Sequence, residues 1–227
     1  MKTSSNMPVL KRLGKSVIPK VLKDAITKIL LITKQDINFF YNWYSGLEPR
    51  PDKSWVNDFH NIIVKIFNPK SVIDFGCGRG EILAPFEKKG LAILGLDGSR
   101  VNKKKAGISQ DNFLVHDLRN GYSAVRRYDL CFCFEVAEHI EEKYSRILIA
   151  ALTKSSPLII FTASPPGTGG HCHCNEKPAE WWIGEFRKFM YDFDREATER
   201  LKRDMMKIRG IQEYYISNLI IFREIAT

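Results

Sequence analysis

From Val9 to Ile32, apolar residues recur at helical spacing (Leu10, Leu13, Val17, Val21, Leu22, Ile26, Ile29 and Leu30), with lysines between them. The pattern predicts a basic amphipathic helix, broken or kinked at Pro19, which has no backbone N–H to donate. The stretch "YNWYSGLEPRPDKSW" then reads as a loop, and a second apolar helix is expected from Trp55 to about Phe67, stopped by Asn68-Pro69. Beyond that point the period changes. Short apolar runs at Ser71–Phe75, Ala92–Leu96, Asn112–Val115, Tyr128–Phe134 and Leu158–Thr162 read as strands. Helix-favouring segments fall between them at Glu81–Lys89, Ser99–Lys105 and Glu141–Lys154. Late in the chain the pattern predicts a helix over Pro178–Phe189 and a short strand at Tyr191–Phe193. A charged helix over Arg195–Lys207 and a final strand at Tyr215–Phe222 follow. Such alternation with short connections is the mark of an α/β fold with a doubly wound, mostly parallel sheet. The expected organisation is an N-terminal helical extension with a lead-in helix over residues 1–67 and an α/β domain over 68–227.

Charge sharpens this division. The 227-residue chain carries a net +9, yet residues 1–34 hold eight basic side chains against one acidic, and the remaining 193 hold 27 against 25. Any contact with phosphates or an anionic surface must therefore run through the N-terminal arm or a local patch, and the arm suits a membrane surface, a partner, or simple packing on the body. No apolar run is long enough to span a membrane, and the N-terminus lacks the apolar core of a secretory signal. Five cysteines without disulfide-like spacing point to a reducing, cytoplasmic setting.

The chemistry begins at "SVIDFGCGRGE", residues 71–81. A strand-to-helix turn needs one glycine; three at alternate positions, Gly76, Gly78 and Gly80, suit a ligand lying almost against the backbone. Asp74 is expected to present a carboxylate to the same crevice. The second strand ends in "GLDGS", placing Asp97 where a carboxylate accepts from both hydroxyls of a ribose. The loop spacing is G-x-G-x-G rather than the G-x-G-x-x-G of dinucleotide-binding enzymes.

These residues resemble the class I S-adenosylmethionine-dependent methyltransferases. The resemblance runs from about Ser71 to Phe222 through four ordered motifs: "VIDFGCGRG", "GLDGS", "FLVHDL" and "YDLCFCFEVAEHI". It implies S-adenosyl-L-methionine as cofactor, held by Asp74, Gly76, Gly78, Gly80, Asp97, Gly98 and Ser99, with Asp117 near the adenine and Glu135 beside the cofactor. It also implies a seven-stranded sheet whose last strand is antiparallel.

For a hydroxyl acceptor, methyl transfer needs positioning and a base. His139, in "EVAEH", and His171 and His173, on the Gly-rich loop "SPPGTGGHCHCNE", are the expected acceptor-side catalytic residues, and Trp181 and Trp182 are candidate walls. "SPPG" follows strand five, not strand four, so it does not match the signature of amino-methylating DNA enzymes. Glu135, Glu138 and His139 with one loop histidine also compose an oxygen/nitrogen set for a divalent ion. That set is similar to the one in small-RNA 2′-O-methyltransferases. "HCHC" is too tight for one tetrahedral zinc site. The reading is O-methylation of a small-molecule or glycan-type hydroxyl without a required metal. The alternatives are a metal-assisted RNA 2′-O-methyltransferase and a cofactor-binding scaffold without turnover.

Overall fold

The computed structural model describes residues 54–170 and 172–226. The expected basic helix over Val9–Ile32, the loop behind it and the role of the arm lie outside the described residues, as does His171. The elements run α1 (Val56–Phe67), β1 (Ser71–Phe75), α2 (Ala84–Lys88), β2 (Ala92–Asp97), α3 (Arg100–Lys104), β3 (Phe113–Val115) and β4 (Leu130–Phe134). There follow α4 (Ser145–Ser155), β5 (Leu158–Thr162), α5 (Ala179–Arg187), β6 (Tyr191–Phe193), α6 (Arg195–Met205), α7 (Glu213–Ser217) and β7 (Ile220–Glu224).

The seven strands form one sheet in the order β3-β2-β1-β4-β5-β7-β6. Strands β1 to β5 pair in parallel, and β7 is antiparallel to both its neighbours, as the resemblance implied. The chain leaves β1 first toward β2 and β3 and later returns beside β1 with β4. The strand order therefore reverses between β1 and β4, and the carboxyl ends of those strands open a crevice there.

Strands β1, β4 and β5 are buried at every position, because helices cover both faces of the sheet. Side chains alternate between two cores. Val72, Leu130, Phe132 and Ile160 join Trp55, Phe59 and Ile63 of the α1 side and Leu201 and Met205 of α6. Ile73, Phe75, Cys131, Cys133 and Phe161 join Leu148 and Leu152 of α4 and Trp182 and Phe186 of α5. In α1, Phe59 packs 5.7 Å from Phe132 and 5.9 Å from Phe134, ring centre to ring centre. Asn68 ends α1 in a left-handed conformation at φ 45°, its N–H reaching the Val64 carbonyl, and Pro69 prevents continuation.

Two expected elements are corrected. The final strand does not start at Tyr215: Glu213–Ser217 form a helical turn, and the strand is Ile220–Glu224. The "EYYIS" run reads as strand by propensity, but a helical turn seats Tyr215 in the core, 5.3 Å from Trp55 and 6.0 Å from Phe134. The segment expected as one helix from Glu141 is a 3-10 turn, Glu142–Tyr144, and the α-helix begins at Ser145. Among the described residues, no helix is long and apolar enough to cross a membrane.

Candidate functional site

The glycine loop takes its shape from left-handed backbone. Gly76, Gly78 and Gly80 have φ of 79°, 60° and 76°. At Gly76 a side chain is also excluded by space, since a Cβ would lie 2.2 Å from Val136 Cγ2. The Gly76 and Cys77 amides both donate to the Leu96 carbonyl, at 2.7 and 3.0 Å, tying the loop to the end of β2.

Asp97, the last residue of β2, is the hub of this half of the site. Its Oδ2 accepts from the Gly78 amide at 3.0 Å, and its Oδ1 accepts from the Ser99 amide at 2.8 Å and Asn102 Nδ2 at 3.0 Å. Ser99 caps α3 through its hydroxyl, and Gly98 makes the bend between the two. Asp74 sits opposite Gly95 on β2 and is almost fully buried at the carboxyl half of β1. Asp117 follows β3 and caps a turn. Burial raises its pKa, but hydrogen bonds from the Arg119 guanidinium and amide outweigh that and leave it below the usual carboxylate range.

The second half begins at the end of β4. Glu135 is left-handed at φ 53°, a conformation that costs a non-glycine residue about 1–3 kcal/mol and tends to collect at functional sites. Its amide donates to Thr162 at the end of β5, while its carboxylate accepts from Ser164 Oγ at 3.1 Å and Asn218 Nδ2 at 3.3 Å. Three residues on, Glu138 is completely buried, and neither carboxylate oxygen has a hydrogen bond of good geometry. Burial, and then the neighbouring Glu135, push its carboxyl up to about 8.

The Gly-rich loop after β5 folds back onto this turn. The Cys174 and Asn175 amides donate to the Glu138 carbonyl at 2.8 and 3.1 Å, and Asn175 Nδ2 reaches Ser145 Oγ at 2.9 Å. This brings His173 edge-on to His139, with ring centres 4.9 Å apart. Ligand atoms of Glu138, His139 and His173 lie within 4.8 Å of one another. That cluster includes neither Cys172 nor Cys174. Of the two tryptophans, Trp182 is core, packed on Phe161 at 5.1 Å, whereas Trp181 is half-buried with Lys177 Nζ 5.2 Å from its ring.

The structure therefore groups the expected residues in two sets. Gly76, Gly78, Asp97 and Ser99 form one, and Glu138, His139 and His173 the other, with Glu135 and Val136 on the turn between them. Sequence reasoning assigned no role to Asn102, Asn218 or Glu176. Glu176 accepts from His173 Nδ1 at 2.8 Å, and an acidic residue three positions after a histidine on a Gly-rich loop was the available signal. Asn218 acts on Glu135 from 83 residues away, a partnership that no local spacing announces.

A profile of the family described as "Methyltransferase domain" matches residues 52–201. Among curated proteins, the chain is similar to the ubiquinone biosynthesis O-methyltransferase of Rhodopseudomonas palustris (strain BisA53). The two are 32% identical over 88 residues, which is 33% of this chain and 35% of that one. To the protein of the same name from Methylobacterium sp. (strain 4-46) it is 25% identical over 141 residues, 59% of this chain and 56% of that one. The matches thus span between about a third and just over half of those relatives' length. Among solved structures, the plantazolicin methyltransferase BpumL, in complex with a pentazolic desmethylPZN analogue and SAH, has a TM-score of 0.55 at 16% identity, covering 91% of this chain and 97% of that one. At that identity the likeness is one of fold.

Proposed function

The chain belongs to the methyltransferase domain family and is a class I S-adenosylmethionine-dependent methyltransferase, and on that premise we propose that it methylates a hydroxyl of a small-molecule or glycan-type acceptor. The observation that carries this reading is the convergence of His139 and His173, ring centres 4.9 Å apart, beside the buried Glu138. A hydroxyl becomes a good nucleophile only as its proton leaves, so an oxygen acceptor calls for a base within hydrogen-bond reach. The relatives named O-methyltransferases support the same choice of atom.

The residues on the cofactor side fit S-adenosylmethionine. Gly76, Gly78 and Gly80 hold the loop in its left-handed turn, and the Asp97 carboxylate at its edge is already oriented by three N–H donors. When bound, the cofactor supplies an electrophilic methyl group on a sulfonium. In this reading Asp97 would accept from the ribose hydroxyls, and Glu135 would lie beside the cofactor. One histidine of the pair takes the hydroxyl proton as the acceptor oxygen attacks in line, then releases it to solvent.

A second reading rests on the same cluster. Glu138, His139 and His173 have the donor types for one divalent ion of borderline hardness, which would polarise the acceptor oxygens in place of a free base. The test is transfer from methyl-deuterated S-adenosylmethionine by the full chain to a panel of dihydroxy-aromatics, sugars, amines and RNA oligonucleotides, with products read by mass spectrometry. Label on an oxygen of a small acceptor is expected. Label on nitrogen, or on the ribose of RNA alone, would contradict the proposal.

A further inference from the structure

We propose that Glu176 is a positioning residue for the transfer: its carboxylate holds the Nδ1–H of His173 and so makes Nε2 of that ring the nitrogen that takes the acceptor's proton. The inference rests on the hydroxyl-methylation reading and goes beyond it by assigning one proton acceptor and the group that sets it.

The geometry is that of a carboxylate seated in a nest of donors. Glu176 Oε1 accepts from His173 Nδ1 at 2.8 Å and from the Gly169 amide at 2.9 Å, and Oε2 accepts from the Gly167 amide at 2.8 Å. Gly167 and Gly169 are left-handed, with φ of 88° and 65°, which turns both amides onto one carboxylate. With both oxygens already turned to backbone N–H groups, the Glu176 carboxylate is placed as an acceptor, so the ring nitrogen facing it is the donor, and this fixes the tautomer. With Nδ1 protonated, Nε2 carries the lone pair.

The ring has little freedom to escape that arrangement. A Cβ at Gly170 would fall 2.1 Å from His173 Cε1 and Nε2, so only glycine lets the imidazole lie there. His139 closes another side. The Cys174 and Asn175 amides, bound to the Glu138 carbonyl, fix the chain just beyond the ring. A carboxylate behind an imidazole does two things for a base: it selects the tautomer and stabilises the cation formed when the proton arrives. In proton balance, the acceptor O–H bond breaks as the O–CH3 bond forms. The proton goes to Nε2, and the S–CH3 electron pair stays on sulfur.

A loop clamp without catalytic consequence would use the same hydrogen bonds, so the test must separate the two. The first readout needs no acceptor. Long-range 15N–1H correlation spectra of the full chain should show His173 protonated at Nδ1, and Glu176→Ala should move it toward the Nε2–H form. The second uses Glu176→Gln, which keeps an oxygen for His173 and Gly169 but loses the charge. It should lower kcat about 100-fold for whichever transfer the panel detects, while acceptor KM and S-adenosylhomocysteine affinity stay within about twofold. The third is a cycle: Glu176→Gln added to His173→Ala should slow transfer no further. A wild-type Nε2–H spectrum, or additive losses in the cycle, would overturn the proposal. So would loss of kcat, KM and cofactor affinity together in Glu176→Gln. Label found only on nitrogen would instead remove the hydroxyl reading, and the tautomer spectra and the cycle would still judge the pair.

Discussion

Gly76→Ala probes the point where the cofactor loop meets the turn after β4. Two independent penalties follow from the structure. A non-glycine residue at φ 79° is in the left-handed region, at about 1–2 kcal/mol. The new Cβ would also stand 2.2 Å from Val136 Cγ2, with Cγ1 at 3.1 Å and Cβ at 3.2 Å. Because three atoms of Val136 crowd the position, rotating its side chain does not clear it, and backbone must move. Overpacking of this kind costs about 1–3 kcal/mol. The expected loss is about 2–5 kcal/mol, a large share of a domain's typical stability of about 5–15 kcal/mol. Gly90→Ala is the control, since Gly90 shares φ 79° but has nothing within 4 Å of the new methyl, so only the backbone penalty applies. Val136→Ala combined with Gly76→Ala should recover the contact part and leave the backbone part. Denaturant unfolding gives the stabilities, and calorimetry with S-adenosylhomocysteine gives the affinity, which should fall for Gly76→Ala and hold for Gly90→Ala. If Gly76→Ala costs no more than Gly90→Ala and binds the cofactor product normally, the tight approach of loop and turn is not a feature of the protein.

Asp97→Asn should weaken S-adenosylhomocysteine binding by about 1.5–3 kcal/mol, the scale of charge-assisted hydrogen bonds. Unchanged affinity by calorimetry would relocate the ribose site. Glu138, raised to about 8 by burial and Glu135, keeps a proton in the folded state that the unfolded chain releases above about 4.5. Its stabilising contribution is therefore complete at low pH and is lost as pH rises toward 8, at up to about 1.4 kcal/mol per pH unit. Glu138→Gln should flatten that slope in EDTA-treated protein, and parallel wild-type and variant curves would show that Glu138 is ionised at neutral pH. Methyl transfer should survive EDTA within about twofold, whereas loss restored by a divalent ion would favour the metal reading. Removing residues 1–34, where the excess positive charge lies, should leave S-adenosylhomocysteine affinity unchanged but weaken any retention on RNA or anionic vesicles.

The sheet was legible because its signals are local. Ser71–Phe75 and Leu158–Thr162 are apolar runs bounded by turn or helix signals, and buried strands leave that trace whatever packs on them. The glycine loop was legible for a similar reason, since left-handed turns favour glycine, and Asp97 closes the next strand, where its carboxylate meets the Gly78 amide. What failed was decided by tertiary packing. Tyr214 and Tyr215 have strand propensity, but burial of Tyr215 beneath Trp55 makes a helical turn the better solution. The acceptor side was only half legible: His139 and His173 stood out by residue type, whereas their meeting depends on the Cys174 and Asn175 amides docking on Glu138. Glu176 was visible as part of an Asn-Glu pair, but its three N–H partners exist only once Gly167 and Gly169 turn left-handed.

In the proposed reaction the glycine loop and the histidine pair serve one reaction centre. A crystal structure of the full chain with S-adenosylhomocysteine tests it most directly, through the position of the sulfur atom. Ribose hydroxyls on Asp97 are expected, with the sulfur directed toward the space beside His139 and His173 and room between for one acceptor oxygen. A sulfur directed away from both histidines, or a ribose held elsewhere than on Asp97, would contradict it.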